Sequence, residues 1–190
     1  MPWLCGELSQ YTDVQYEEAY RTLSLSRRQR IDRLHRDEDR RRSLLGELLL
    51  RELLRICGAA DASVDCADTG RPFRRGAALH VSITHSGNYA ACAVSEVPVG
   101  IDLELLLPVR AGLVRRVCCT EELAYVFEDA TPQDTVADPS VLRRFYEVWT
   151  AKEAYLKQCG TGITVDLRSV NTLSLPRQFY GTEAYMLCIV

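Results

Sequence analysis

Asp102 and Glu104 stand two residues apart in the run VGIDLELL. On a strand, residues i and i+2 leave the same face, so the two carboxylates would lie side by side and repel unless something positive sits between them. In an otherwise apolar run that cost favours a metal or catalytic role over an exposed edge strand. A second cluster, WTAKEAYLK at 149–157, contains both lysines of a chain that carries 21 arginines. On a helix, Trp149, Glu153 and Lys157 are spaced i, i+4, i+8 and share a face, whereas Lys152 points elsewhere. Alone, Glu153 and Lys157 read as a surface ion pair worth about a few tenths of a kcal/mol. Taken with Asp102 and Glu104, Glu153 completes a set of three oxygen ligands without histidine or thiol. Such a set suits Mg²⁺, which usually keeps some waters and binds phosphate oxygens. Lysine is a compact, flexible point charge often met at phosphates, and one turn beyond Glu153 it could neutralise the same group.

Two further stretches suggest anion chemistry, each with a plainer alternative. In THSGN at 84–88, Gly87 permits a tight backbone and Thr84, His85 and Ser86 offer donors; the alternative is an ordinary hairpin turn. From Arg27 to Arg55 there are ten arginines, but Asp32, Asp37, Glu38, Asp39, Glu47 and Glu52 are interleaved, as on a solvated helix face. His35 and His80 have no evident partner.

The elements that must position these residues follow from periodicity. Leu44, Leu45, Leu48, Leu49 and Leu53 recur at helical spacing, which predicts a long helix from about Asp37 to Cys57 with Gly58 as a stop. A shorter helix is expected over Ser26 to Leu34. Turn-formers in DTGRP and RRG mark loops between Gly58 and Ala78. Strands are expected at Leu79–Thr84, Tyr89–Ser95 and Val99–Leu107, and helices over Thr120–Glu128 and Leu142–Gln158. Ser169–Leu173 and Ala184–Val190 complete the list as strands. Both halves mix helix and strand and meet near Pro98, which predicts an α+β fold of two small subdomains, 1–98 and 99–190.

Composition narrows the class. At 190 residues and 47% hydrophobic, the chain can bury a sizeable core. No apolar run approaches the roughly 20 residues of a membrane span, and MPWLCGELSQYTD lacks the pattern of a signal peptide, so a cytoplasmic protein is expected. The eight cysteines are scattered without a C-x-x-C pair, and several lie in apolar strings, where thiols act as small hydrophobes. A net charge of -3 and the lack of a recognised module disfavour nucleic-acid binding.

GIDLE at 100–104 and WTAKEAYLK at 149–157, in this order and spacing, resemble the two signature blocks of the 4′-phosphopantetheinyl transferase superfamily, surfactin-synthetase-activating type. RRSLLGELLLR at 41–51, TGRP at 69–72 and SITHSGN at 82–88 extend the resemblance over most of the chain. It implies transfer of 4′-phosphopantetheine from coenzyme A, the co-substrate, to a serine hydroxyl of an apo acyl- or peptidyl-carrier protein, releasing adenosine 3′,5′-bisphosphate. Asp102, Glu104 and Glu153 would match the family's magnesium ligands, and Lys157 its lysine on the pyrophosphate. His85 and Arg42 would match positions that hold the 3′-phosphate; Arg27 and Arg30 stand where lysines are often found in that role. Arg71 and Pro72 fall in a loop that lines the adenine, and Thr84 stands where a serine is common. The proton of the attacking serine would go to Glu153 or to a magnesium-bound water steered by Glu104.

The resemblance also implies a pseudo-dimer within one monomer, each half a short antiparallel sheet packed with helices, and coenzyme A in the cleft between them. It implies docking of the carrier on Leu105–Leu123, where Arg110, Arg115 and Arg116 lie beside Leu113 and Val114; an ordinary amphipathic helix is the alternative. Relative to the family, the hairpin between Leu173 and Ala184 reads as trimmed. A coenzyme A or carrier binder without turnover and an unrelated Mg²⁺ phosphohydrolase are the competing functions.

Overall fold

The structure, a computed structural model, describes residues 1–59, 64–66, 72–74, 79–128, 130–131, 133–160 and 165–190. In chain order the elements are β1 (Trp3–Glu7), α1 (Asp13–Thr22), α2 (Leu25–Asp32), α3 (Asp37–Ile56), β2 (Val64–Cys66), β3 (Pro72–Arg74), β4 (His80–Ser86), β5 (Tyr89–Ser95), β6 (Ile101–Leu105), β7 (Val109–Arg110), α4 (Ala111–Val117), α5 (Thr120–Phe127), β8 (Thr135–Val136), α6 (Pro139–Cys159), β9 (Gln178–Gly181) and β10 (Tyr185–Ile189). The architecture is α+β, with small antiparallel sheets packed against helices.

One three-stranded sheet, ordered β1-β5-β4, draws only on strands before Pro98, and the other, β6-β10-β9, only on strands after it. YAACAV forms β5 because it is covered on both sides. Ala90, Cys92 and Val94 face a core built with α1 and α3, while Ala91 and Ala93 face Ile101, Leu103, Leu187 and Ile189 of the other sheet. Alanine on that second face lets the sheets approach closely. Rings complete the contact, with Trp3 and Tyr180 centroids 4.5 Å apart and Tyr89 and Tyr185 4.9 Å apart. A third core joins α4, α5 and α6 to Met186.

The leucine stripe forms α3 as expected, with Leu45, Leu49, Leu50 and Leu53 buried. Helix α6 starts at an Asp138 cap, which accepts from Ser140 and Val141 N–H ahead of a proline at the first turn, and stops at Gly160 in the left-handed region. The glycine of GIDLE has a packing reason. A Cβ on Gly100 would lie 1.7 Å from the Ala154 carbonyl oxygen, so β6 and α6 approach backbone to backbone.

Two expectations need correction. The segment Ser169–Leu173 is not a strand; it lies in two 3-10 turns, Leu167–Ser169 and Thr172–Ser174. Asp166 and Asn171 accept from Arg168 and Leu173 N–H, and the carbonyls of Leu167 and Val170 accept from Lys152 Nζ, which occupies groups a ladder would need. Between Gly58 and Ala78, β2 and β3 pair where only loops are expected. Elements β1, α1 and β9 have little apolar pattern: of α1 only Tyr16 and Ala19 are buried. Among the described residues no helix is long and apolar enough to cross a membrane, and Cys5, Cys57, Cys92, Cys118, Cys119, Cys159 and Cys188 are free thiols.

Candidate functional site

A cleft of about 350 Å³ opens between the two sheets and α2, α3 and α6. Its floor is the strand β6, whose alternation puts Asp102 and Glu104 on one face, and α6 lies alongside with Glu153 and Lys157 one turn apart. The two signature stretches therefore meet. Lys157 Nζ donates to Asp102 Oδ1 at 2.7 Å and to the Ile101 carbonyl at 3.0 Å. Asp102, 4% exposed, also accepts from the Thr84 hydroxyl at 3.0 Å. Glu104 Oε2 accepts from the Ser86 hydroxyl at 2.7 Å, and the Trp149 side chain bonds the same carboxylate.

The carboxylates strain against one another electrostatically. Burial, reinforced by the negative charge of Asp102 and opposed by Lys157, pushes the Glu153 pKa up to about 7. Burial also raises Glu104, with the Ser86 bond acting against it and the Asp102 charge adding to it. Asp102 Oδ2 and Glu153 Oε1 are buried and have no hydrogen-bond partner among the described residues. Among those residues no three acidic, imidazole or thiol groups are arranged as a ready-made metal cage. Even so, two orphaned carboxylate oxygens in a cluster of like charge, with oxygen as the only donor type, fit a hard divalent cation.

The cationic wall differs from a row of unengaged clamps. Arg27, 9% exposed, is ion-paired with Glu47, which is 6% exposed. Arg42 pairs with Asp39 and donates to the Gly87 carbonyl at 3.0 Å. Arg30 lines the cleft from the exposed side of α2. His85 lines it too, and its pKa is lowered by the surrounding protein and then by the Lys157 and Arg42 cations. Arg71 lies outside the described residues, and Pro72 is described only as the first residue of β3.

Thr84, His85 and Ser86 end β4, and Gly87 and Asn88 turn the chain into β5, with Gly87 at φ 54°. A Cβ there would also meet Leu105 Cδ1 at 2.3 Å. A hydroxyl has one proton, and those of Thr84 and Ser86 go to the carboxylates, so His85 is the donor of that stretch left facing the cleft. Helix α4 buries Val114 and leaves Leu113, Arg115 and Arg116 on its outer face, with Arg110 exposed at its N-cap; Val114 is therefore unavailable to a partner.

Sequence reasoning places Glu47 on a solvated helix face, where the structure buries it, and does not single out Glu122. Glu47 falls on the buried stripe of α3, three residues from Leu44 and Leu50, and that position is the signal. Glu122 is fully buried and pairs with Lys152, which is 1% exposed, at 2.7 Å. Lys152 thus holds the fold, and Lys157 serves the cleft.

Comparison with known proteins follows the same motifs. The profile of the 4′-phosphopantetheinyl transferase superfamily matches residues 98–184. The chain is similar to a 4′-phosphopantetheinyl transferase of Bacillus subtilis, 30% identical over 151 residues that cover 77% of this chain and 64% of that protein. A Bacillus pumilus relative of the same description is 30% identical over 161 residues, 82% of this chain and 65% of its own length. One from Paxillus involutus is 30% identical over 184 residues, 84% of this chain and 68% of that protein. The chain thus spans about two thirds of the length of these relatives.

Proposed function

The chain belongs to the 4′-phosphopantetheinyl transferase superfamily, and from that premise we propose that it transfers 4′-phosphopantetheine from coenzyme A to a serine hydroxyl of an apo carrier protein. The observation that best supports the reading is the cleft itself, where Asp102, Glu104 and Lys157 face a wall carrying Arg27, Arg30 and His85, with Glu153 of α6 close enough to feel the charges of Asp102, Glu104 and Lys157.

In this reading Asp102, Glu104 and Glu153 would hold Mg²⁺. Bound there, the ion would neutralise charge on the pyrophosphate of coenzyme A. The serine oxygen forms a bond to the β-phosphorus and the bond from that phosphorus to the bridging oxygen breaks, so adenosine 3′,5′-bisphosphate leaves. The protein's work is positioning and charge stabilisation. Lys157 reaches the pyrophosphate as a flexible point charge; His85 and Arg30, with Arg27 and Arg42 behind them, bind the 3′-phosphate end. Arg71 and Pro72 would line the adenine. The serine proton would pass to Glu153 or to a water steered by Glu104; without a cation, burial and the Asp102 charge push Glu153 up to about 7, and a bound cation would lower it. The exposed side of α4, with Arg110, Leu113, Arg115 and Arg116, suits the acidic helix of a carrier. Both walls of the cleft come from one chain, which favours a monomer of two subdomains, 1–98 and 99–190; a cytoplasmic location is part of the same proposal.

Intact mass of an apo carrier protein after incubation with this protein, coenzyme A and Mg²⁺ tests the proposal, with EDTA as the control. The expected result is a gain of one phosphopantetheine that EDTA prevents and that Asp102→Ala or Glu153→Ala abolishes while circular dichroism stays native. Coenzyme A bound without any gain on several carriers would make the protein a binder. Coenzyme A cleaved without an acceptor would make it a hydrolase.

A further inference from the structure

Strands β4 and β6 lie side by side, yet among the described residues no backbone hydrogen bond joins them. Side chains make the connection. The hydroxyls of Ser82, Thr84 and Ser86, at alternate positions on one face of β4, accept from the N–H groups of Ile101 at 3.1 Å, Leu103 at 3.2 Å and Leu105 at 3.3 Å. A hydroxyl accepts through its lone pairs and still has its proton to donate. Thr84 gives that proton to Asp102 Oδ1 at 3.0 Å and Ser86 gives its own to Glu104 Oε2 at 2.7 Å. Ser82 makes only the first kind of bond among those described and touches no carboxylate.

Each upper rung therefore performs two tasks at once: it ties β6 to β4 and holds one oxygen of the neighbouring carboxylate. Asp102 is held twice, because Lys157 Nζ shares Oδ1, and the arrangement leaves Oδ2 as the buried oxygen without a partner. A carboxylate fixed in this way does not lose torsional freedom again when it takes a ligand. Outer partners of metal-binding carboxylates tune affinity by this route.

We propose that Thr84 and Ser86 are positioning residues that orient Asp102 and Glu104 for a divalent cation, while Ser82 only joins the two sheets. The proposal rests on the metal reading given above. It assigns Thr84 to the carboxylate side of the cleft, where its side chain acts through Asp102 and not by donating to the nucleotide.

Mn²⁺, which favours the same oxygen donors as Mg²⁺, serves as the probe in a paramagnetic-resonance titration of the whole protein without coenzyme A. Thr84→Val preserves shape and deletes the hydroxyl; Thr84→Ser restores it. The expected outcome is a loss of Mn²⁺ affinity of about 10–100-fold in Thr84→Val and in Ser86→Ala, recovery in Thr84→Ser, and wild-type affinity in Ser82→Ala despite a lower unfolding temperature. A folded Thr84→Val that binds Mn²⁺ like wild type overturns the proposal, as does an equal loss in Ser82→Ala. If Thr84→Val does not fold, Ser86→Ala, on the half-buried rim, decides by the same criterion. Wild-type protein that binds no Mn²⁺ would instead overturn the metal reading, and this inference with it.

Discussion

At the residue scale, Lys157 shows why one cation cannot replace another. It leaves α6 and crosses to β6, where its ammonium satisfies the Ile101 carbonyl and Asp102 Oδ1 together. A compact head on a thin stem makes both bonds in a space bounded by buried backbone. A guanidinium is a planar fork and delivers its donors in fixed directions. On the proposed activity, Lys157→Arg keeps the charge and is expected to lower kcat for carrier modification about a hundredfold, the scale of losing one aligned donor to developing negative charge. Steady-state kinetics at saturating coenzyme A is the check, and unchanged kcat would remove the requirement for a point charge. Arg27 and Arg42 differ from Lys157 in that each already has a carboxylate on its own wall. A phosphate arriving there meets a guanidinium whose charge is shared with Glu47 or Asp39.

At the element scale, the other lysine of the same helix serves structure. Glu122 on α5 accepts from Lys152 Nζ, from Cys119 N–H and from both the N–H and hydroxyl of Thr172. Burial raises its pKa, but those donors together outweigh burial and hold the carboxyl below its usual value. With the folded pKa depressed, this group's contribution to stability is full above the unfolded pKa of about 4.5 and is lost as pH falls through the folded value. Lys152→Met strands the carboxylate in the core and is expected to cost about 3–5 kcal/mol near neutral pH. In the variant Glu122 can escape by taking a proton, so the gap to wild type should narrow from about pH 7.5 to about pH 5. Urea unfolding at the two pH values measures this; a gap that widens on acidification would contradict it.

At the scale of the whole molecule, the cleft exists because two sheets from opposite halves of the chain press together. Two contacts allow it: the alanine face of β5 against β6 and β10, and the bare backbone of Gly100 against α6. Gly100→Ala would force a methyl into the Ala154 carbonyl. Overpacking of this kind costs about 3 kcal/mol or more when backbone must move, which for a chain this size is a fall in Tm of roughly 6–12 °C. Thermal unfolding followed by circular dichroism tests it. A variant that melts with wild type would mean that β6 and α6 can separate without loss.

Much of the site was legible before the structure. Period two put Asp102 and Glu104 on one strand face, period 3.6 put Glu153 and Lys157 on one helix face, and the leucine stripe drew α3 to within a residue of its end. These are local regularities of backbone geometry, and an amino-acid string carries them directly. The alternation Ser82, Thr84, Ser86 was equally periodic, but no sequence pattern says which strand lies across from a hydroxyl. Nor does spacing tell which carboxylate meets which cation. Arg27 with Glu47, Lys152 with Glu122 and Lys157 with Asp102 are partners separated by 20 to 55 residues, chosen only when the sheets close and burial makes an unpaired charge too costly to keep. The sequence by itself determined the chemical inventory and the faces that carry it. Tertiary structure decided which lysine is buried in the core and which faces the cleft, because only packing brings distant partners to each charge.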